Sequence, residues 1–90
     1  MGIAASYSNI GILLYEQNKW EEALLYQKKA LKIKNAQGDK KGIAYEYSAI
    51  AKIYTKEKKY KTALDYLLKS VELSLETGDR ANLVDCYYNI

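Results

Sequence analysis

The sequence is distinctive first for the residue types that it lacks. Its 90 residues include no proline, no phenylalanine, no histidine and a single cysteine, Cys86. Because proline is absent, nothing interrupts long helices, and helices are the expected secondary structure. The absence of histidine removes the usual acid–base and metal-binding side chain. One cysteine excludes an intramolecular disulfide and a cysteine-built zinc site. We therefore expect no enzyme and no metal or cofactor site.

Charge and hydropathy argue against two further classes of function. The 14 basic and 11 acidic side chains give a net charge of +3, which is too small and too mixed to indicate nucleic-acid or anionic membrane binding. No segment approaches the roughly 18 apolar residues of a membrane span, and no signal-peptide core follows Met1. The compartment stays open, although a single thiol is compatible with the reducing cytoplasm.

A repeat of 40 residues is the dominant internal feature. When each residue is compared with the residue 40 positions later, 13 of the 40 pairs are identical. A third copy begins with the segment LVDCYYNI and stops within the motif. The pattern predicts one repeat domain with units at residues 1–40 and 41–80 and a partial unit at 81–90, which bury their apolar faces by stacking. Because the chain opens with Met-Gly and stops within a motif, we expect an excised or engineered fragment.

Each repeat has the pattern of two helices joined by short polar turns. Apolar side chains recur at helical spacing in both halves of the repeat. Gly38 and Gly78 fit the left-handed position that follows a helix. Asp39 and Asp79 fit the N-cap of the next helix, where a carboxylate accepts free backbone N–H groups. The pattern predicts helices over residues 3–16, 20–37, 40–56, 60–77 and 81–90, with no strand.

The order and spacing of the apolar positions resemble the tetratricopeptide repeat family. The first copy of the motif is Tyr7, Ile10, Gly11, Leu14, Trp20, Ala23, Tyr26 and Ala30, and the second is Tyr47, Ile50, Ala51, Tyr54, Tyr60, Ala63, Tyr66 and Ser70. The resemblance implies an all-α fold of antiparallel helical hairpins stacked as a right-handed solenoid, with two full repeats and the start of a third. Small residues such as Ala51 and Ala63 let the helices of a hairpin approach to about 8–10 Å.

Two features depart from the usual family pattern. The repeat has 40 residues instead of about 34 and lacks the proline that commonly ends the second helix, which resembles a longer subtype. Asn18 and Lys58 replace the glycine that is common between the two helices. Because lysine tolerates a left-handed backbone poorly, we expect a strained or differently shaped turn at Lys58.

The resemblance also implies where a partner would bind, because the first helices of successive repeats in this family line a concave peptide-binding groove. By motif position, the candidate groove residues are Ala5, Ser8, Asn9, Ile12, Tyr15, Glu16, Tyr45, Ser48, Ala49, Lys52, Thr55, Lys56, Asp85, Tyr88 and Asn89. Tyr45, Lys52 and Lys56 would suit an acidic partner segment. The alternative is that the two lysines form a solvated helix face.

The sequence therefore predicts a protein–protein interaction scaffold that binds a partner peptide or protein. The alternative is a structural repeat element with no ligand of its own. In either case we expect self-association, by head-to-tail stacking or by exchange of the terminal helix, because the outer helices leave apolar faces uncovered. Catalysis finds no support, since the chain has no glycine-rich phosphate loop and no nucleophile–base pair.

Overall fold

Five α-helices make up the fold, and their boundaries follow the predicted ones closely. The computed structural model describes residues 3–89. The helices are α1 (Ile3–Glu16), α2 (Trp20–Gln37), α3 (Lys40–Lys56), α4 (Tyr60–Thr77) and α5 (Arg80–Asn89). The first four predicted ranges are confirmed, and α5 begins one residue earlier than predicted. The predicted helical residue Ile90 lies outside the described residues.

The helices form hairpins that stack into an all-α solenoid. α1 pairs with α2, α3 pairs with α4, and α5 covers α4. α2 contacts α3, so the second helix of one hairpin lies against the first helix of the next. α3 also contacts α1 and α5, whereas α2 and α4 do not meet within residues 3–89. The stack is therefore tighter on the side of α1, α3 and α5, and these three helices line its concave face.

The glycine and aspartate turns between hairpins confirm the sequence-based interpretation. Gly38 and Gly78 have φ of 66° and 73°, in the left-handed region that glycine adopts without steric cost. The Asp39 side chain accepts a hydrogen bond from the Gly42 backbone N–H, with an O···N distance of 3.0 Å. Asp79 does the same for the N–H of Asn82 at 3.2 Å. Each helix that begins after these turns is thus capped by its own aspartate.

The turns within the two hairpins have the same shape, and the expectation of a strained turn at Lys58 is confirmed, because a residue other than glycine adopts the left-handed region there. Asn18 and Lys58 have φ of 63° and 64°. The Lys59 N–H donates to the Tyr54 carbonyl at 2.9 Å, and the equivalent bond in the first hairpin has the same length. This hydrogen bond holds Lys58 in the left-handed conformation, although that backbone is costly for a residue with a Cβ atom.

Small residues bring the two helices of each hairpin together. Ala51 and Ala63 lie in the main core cluster, which also contains Ile50, Tyr54, Leu67 and Cys86. In the first hairpin a Cβ atom added to Gly11 would lie 2.7 Å from the Gln27 side chain. Within residues 3–89, no helix combines the length and the apolar character that crossing a membrane requires.

Tyrosine pairs bridge the two helices of each hairpin in the same way. The rings of Tyr7 and Tyr26 lie 6.0 Å apart, and those of Tyr47 and Tyr66 lie 5.7 Å apart. A lysine ammonium group lies over both rings of each pair, from Lys29 in the first hairpin and Lys69 in the second. The polar tips of tyrosine explain why these positions tolerate partial exposure.

A buried ion pair connects the first hairpin to the second. Lys34 of α2 lies 2.9 Å from the carboxylate of Glu46 on α3, and their side chains are 15% and 0% exposed. Burial raises the pKa of Glu46, and the Lys34 ammonium and the Ser8 hydroxyl oppose that shift. Removing this carboxylate from water is therefore costly, and the single ammonium compensates for it only in part.

We expect overpacking at the helix crossing to be destabilising. Ala63→Leu should lower the free energy of unfolding by about 1–3 kcal/mol more than Lys61→Leu, because Ala63 is buried in the core and Lys61 is exposed. Thermal unfolding followed by circular dichroism gives the comparison. Equal melting temperatures for the two variants would show that Ala63 does not lie at a close contact.

We also expect the Glu46 carboxylate to make stability decrease as pH rises. Its pKa in the folded protein lies above the ordinary 4.5, so the folded state holds an extra proton between the two values. Raising the pH through that window costs at most about 1.4 kcal/mol per pH unit. Urea unfolding gives the free energy of unfolding of the native chain and of Glu46→Gln. As pH rises, the value for the native chain should fall relative to the value for the variant. A difference that is independent of pH would contradict this.

Candidate functional site

A cleft with a volume of about 240 Å³ lies between α1 and α3 on the concave face. Its walls come from the first helices of the two complete hairpins, and its floor includes one residue of α2. The lining residues are Ile12, Tyr15, Glu16, Gln27, Tyr45, Ser48, Ala49, Lys52 and Ile53. The structure thus brings together seven of the predicted groove residues, namely Ile12, Tyr15, Glu16, Tyr45, Ser48, Ala49 and Lys52.

Packing beneath the cleft fixes its floor. Ile53 and Gln27 are each 1% exposed. The Gln27 amide donates a hydrogen bond to the Ser8 carbonyl at 3.2 Å, and the Ser8 hydroxyl donates back to Gln27 at 3.4 Å. Because these bonds use the polar atoms of Gln27 internally, the cleft offers a ligand mainly aliphatic and aromatic surface.

Lys52 lies at the centre of the concave face, because it also lines two neighbouring depressions. One depression, of about 290 Å³, lies between α3 and α5 and is lined by Tyr45, Lys52, Asp79, Ala81, Asn82 and Asp85. The other, of about 330 Å³, lies near the intrahairpin turn and is lined by Tyr15, Lys52, Thr55, Lys56, Lys58 and Tyr60. A ligand that follows the groove would therefore pass the Lys52 ammonium group.

Asp85 of α5 engages Lys52 from the neighbouring helix. The Lys52 ammonium nitrogen lies 3.1 Å and 3.2 Å from the two carboxylate oxygens. The Ser48 hydroxyl donates to the same carboxylate at 2.9 Å. Both charged side chains are partly exposed, so the ion pair is screened by water and contributes only about 0–1 kcal/mol. The Lys52 charge is thus partly neutralised within the protein.

The remaining predicted residues lie in different places. Ser8 is 5% exposed and lies beneath the groove rather than on its surface, because its hydroxyl packs against Gln27. Lys56 lines the depression near the turn, and Asn9 is exposed on α1. Tyr88 is 89% exposed on α5. Asn89 is the last residue of α5, and its side chain lies outside the described part of the chain.

Sequence reasoning missed two residues that shape the main cleft, Gln27 and Ile53. Gln27 occurs on the apolar stripe of α2, four residues after Ala23 and three before Ala30. A polar residue at such a position indicates a buried hydrogen-bonding role, and this signal was available in the sequence. Ile53 gave no comparable signal in the sequence. Whether a buried isoleucine can be reached from the cleft depends on the spacing between α1 and α3, which a local pattern does not give.

These features define a domain of stacked helical hairpins with a groove along its first helices. Comparison with protein families gives two matches, at residues 3–36 and 46–81, and both are described as tetratricopeptide repeats. The chain belongs to the tetratricopeptide repeat family. Repeats of this family are generally protein–protein interaction modules. No match was found among curated proteins.

Proposed function

We propose that this chain is a non-catalytic scaffold unit that holds a peptide segment of a partner protein along α1, α3 and α5. The observation that supports this most directly is the apolar and aromatic cleft between α1 and α3. Its volume of about 240 Å³ is below the roughly 300–1,000 Å³ of small-molecule sites. It is suited to one or two side chains of a peptide whose remaining residues follow the groove.

The chemistry of the cleft favours an apolar anchor residue in the partner. Tyr15 and Tyr45 supply aromatic surface on opposite helices, and Ile12, Ala49 and Ile53 supply aliphatic surface between them. Burying an aromatic or aliphatic side chain there removes apolar surface from water on both partners. Anchors of this kind usually contribute most of the binding free energy at peptide interfaces.

The charges beside the cleft favour an acidic segment next to that anchor. Lys52 lies between the three depressions, and Lys56 and Lys58 follow on the side of the turn. A carboxylate of the partner would compete with Asp85 for Lys52. Asp85 therefore reduces the affinity for an acidic partner. It also makes Lys52 selective for charge, because only a negatively charged group of a partner can replace the Asp85 carboxylate there.

The first experiment separates the cleft from the rest of the surface. Peptides selected from a display library against the native chain should bind at least about tenfold more weakly to Ala49→Leu, because the larger leucine side chain fills the cleft. Ala36→Leu is the matched control, since Ala36 is exposed on α2 away from the groove. Affinity can be measured by fluorescence anisotropy. Equal binding to both variants would place the peptide elsewhere.

The same peptides test the role of charge through two substitutions with opposite expected effects. For an acidic peptide, Lys52→Glu should weaken binding by about 3- to 10-fold, and Asp85→Asn should strengthen it because Lys52 loses its internal partner. Added salt should weaken binding to the native chain. Circular dichroism checks that each variant stays folded. Affinities that respond to neither substitution would rule out an acidic segment at Lys52.

Exposed apolar faces favour self-association as a second function. On α1, Ile3, Ile10 and Leu13 are exposed, whereas the equivalent residues of α3 (Ile43, Ile50 and Ile53) are buried. On the other side of the stack, Leu64, Leu68, Leu75, Val84 and Tyr87 are exposed on α4 and α5. Two copies could cover these faces by head-to-tail stacking or by exchange of the terminal helix.

Self-association makes the melting temperature depend on concentration. We expect light scattering behind a sizing column to give a mass that rises from micromolar to millimolar protein, with a parallel rise in melting temperature. Leu13→Lys should suppress both effects, because it places a charge on the open face of α1. Lys41→Leu provides a control for a change of hydropathy at an exposed position. A constant monomer mass together with a constant melting temperature would exclude this function.

A further inference from the structure

The two contacts between successive hairpins use the same four repeat positions but fill them with different chemistry. At the contact between α2 and α3 these positions hold Ala30, Lys34, Gly42 and Glu46, which we call the charged junction. At the contact between α4 and α5 the residues 40 positions later are Ser70, Ser74, Asn82 and Cys86, which we call the hydroxyl junction. All four pairs differ in a chain whose repeats otherwise share many identical residues.

At the charged junction, a long side chain from α2 crosses to an acid on α3. The Lys34 ammonium lies 2.9 Å from the fully buried Glu46 carboxylate and 5.4 Å from the centre of the Tyr45 ring. Gly42 leaves room for the capping carboxylate of Asp39 and for the lysine stem, since a Cβ atom at that position would lie 2.7 Å from Lys34 Cδ and still closer to Asp39 Oδ2. Lysine and glutamate at this junction are therefore paired, and the glycine leaves the lysine stem room to reach the carboxylate.

At the hydroxyl junction, short side chains form a closed network of hydrogen bonds. The Ser70 hydroxyl donates to the Ala44 carbonyl at 2.6 Å and accepts from the Asn82 amide at 2.8 Å and from the Cys86 thiol at 3.3 Å. The Asn82 amide also donates to the Ser74 hydroxyl at 2.7 Å. Both N–H groups of this amide are thus used, and each of the four side chains is buried.

Exchanging one side of a junction leaves buried polar groups without partners. If the α3 residues met an α4-type surface, the Glu46 carboxylate would face Ser74 without an ammonium group. If the α5 residues met an α2-type surface, Asn82 would find alanine in place of the Ser70 hydroxyl and would collide with the Lys34 stem. An uncompensated buried charge or amide is strongly destabilising. In the matched sets, Lys34 binds one oxygen of the Glu46 carboxylate, and the two serine hydroxyls accept both N–H groups of Asn82.

We propose that the two residue sets are specificity determinants that fix the order of the repeats, so that α3 packs only on α2 and α5 only on α4. The same rule selects among assemblies of two copies. Exchange of α5 between chains preserves the hydroxyl junction, whereas packing of α3 from one copy on α4 of another does not. Discrimination comes from the penalty on mismatched pairs, which is how repeated units with similar surfaces avoid incorrect neighbours.

The test converts the charged junction into the hydroxyl type within the full chain, under reducing conditions. Ala30→Ser with Lys34→Ser converts the α2 side alone, Gly42→Asn with Glu46→Cys converts the α3 side alone, and a third variant carries all four changes. Each half-converted chain should melt at least about 8 °C below the native chain. The fully converted chain should recover at least half of the summed loss. Lys32→Ser, at an exposed site on α2, controls for loss of a lysine and should melt near the native temperature.

Losses that simply add, so that the fully converted chain melts below both half-converted chains, would overturn the proposal. If the half-converted chains do not fold, folding of the fully converted chain supports it. If none of the three folds, Lys34→Met, Glu46→Gln and their double variant decide the matter. A double variant that loses less than the sum of the single losses supports pairwise dependence at the junction. A double variant whose loss equals that sum rejects it.

Discussion

The packing of α3 between two second helices is the constraint on which the rest of the structure depends. α3 contacts every other helix of the described chain, and its buried residues extend along almost its whole length. One side of it meets α4 through Ala51, and another meets α2 through Glu46. A third side presents Tyr45 and Lys52 to the groove. The core, the contacts between hairpins and the candidate site are therefore different sides of one helix, and any rotation of α3 would alter all three.

Close approach makes this arrangement possible and also limits the side chains that it accepts. Alanine at positions 51 and 63 and glycine at position 11 leave no space for larger groups where helices cross. Protein interiors are packed at nearly crystalline density, so an added methylene group must displace a neighbour. The stability of the stack thus rests on small residues at the crossings, while the tyrosine pairs fill the wider space at the edges of each hairpin.

Polar residues have three different roles in this domain. Asp39 and Asp79 cap helices at the surface, where a carboxylate loses little hydration. Lys34 with Glu46, and the serine–asparagine network at the other junction, are buried and require matched partners. Lys52 with Asp85 lies between these extremes, since both side chains are partly exposed. The polar contacts thus range from exposed caps to fully buried pairs, and the cost of losing a partner rises with burial.

The sequence by itself determined the local structure and the architecture. Periodic apolar residues, Gly-Asp turns and the 40-residue match were sufficient to place α1–α4, because helices and caps depend on interactions between near neighbours. The family motif also predicted that the first helices of the hairpins line one face of the stack. The tertiary structure decided which side chains meet across it: Ser8 lies beneath the groove, Gln27 lies under its floor, and Asp85 binds Lys52. Periodicity shows which side of a helix a residue occupies, but the contact between Lys52 and Asp85 joins residues 33 positions apart. Such a contact depends on how the hairpins stack, and no local pattern contains that information.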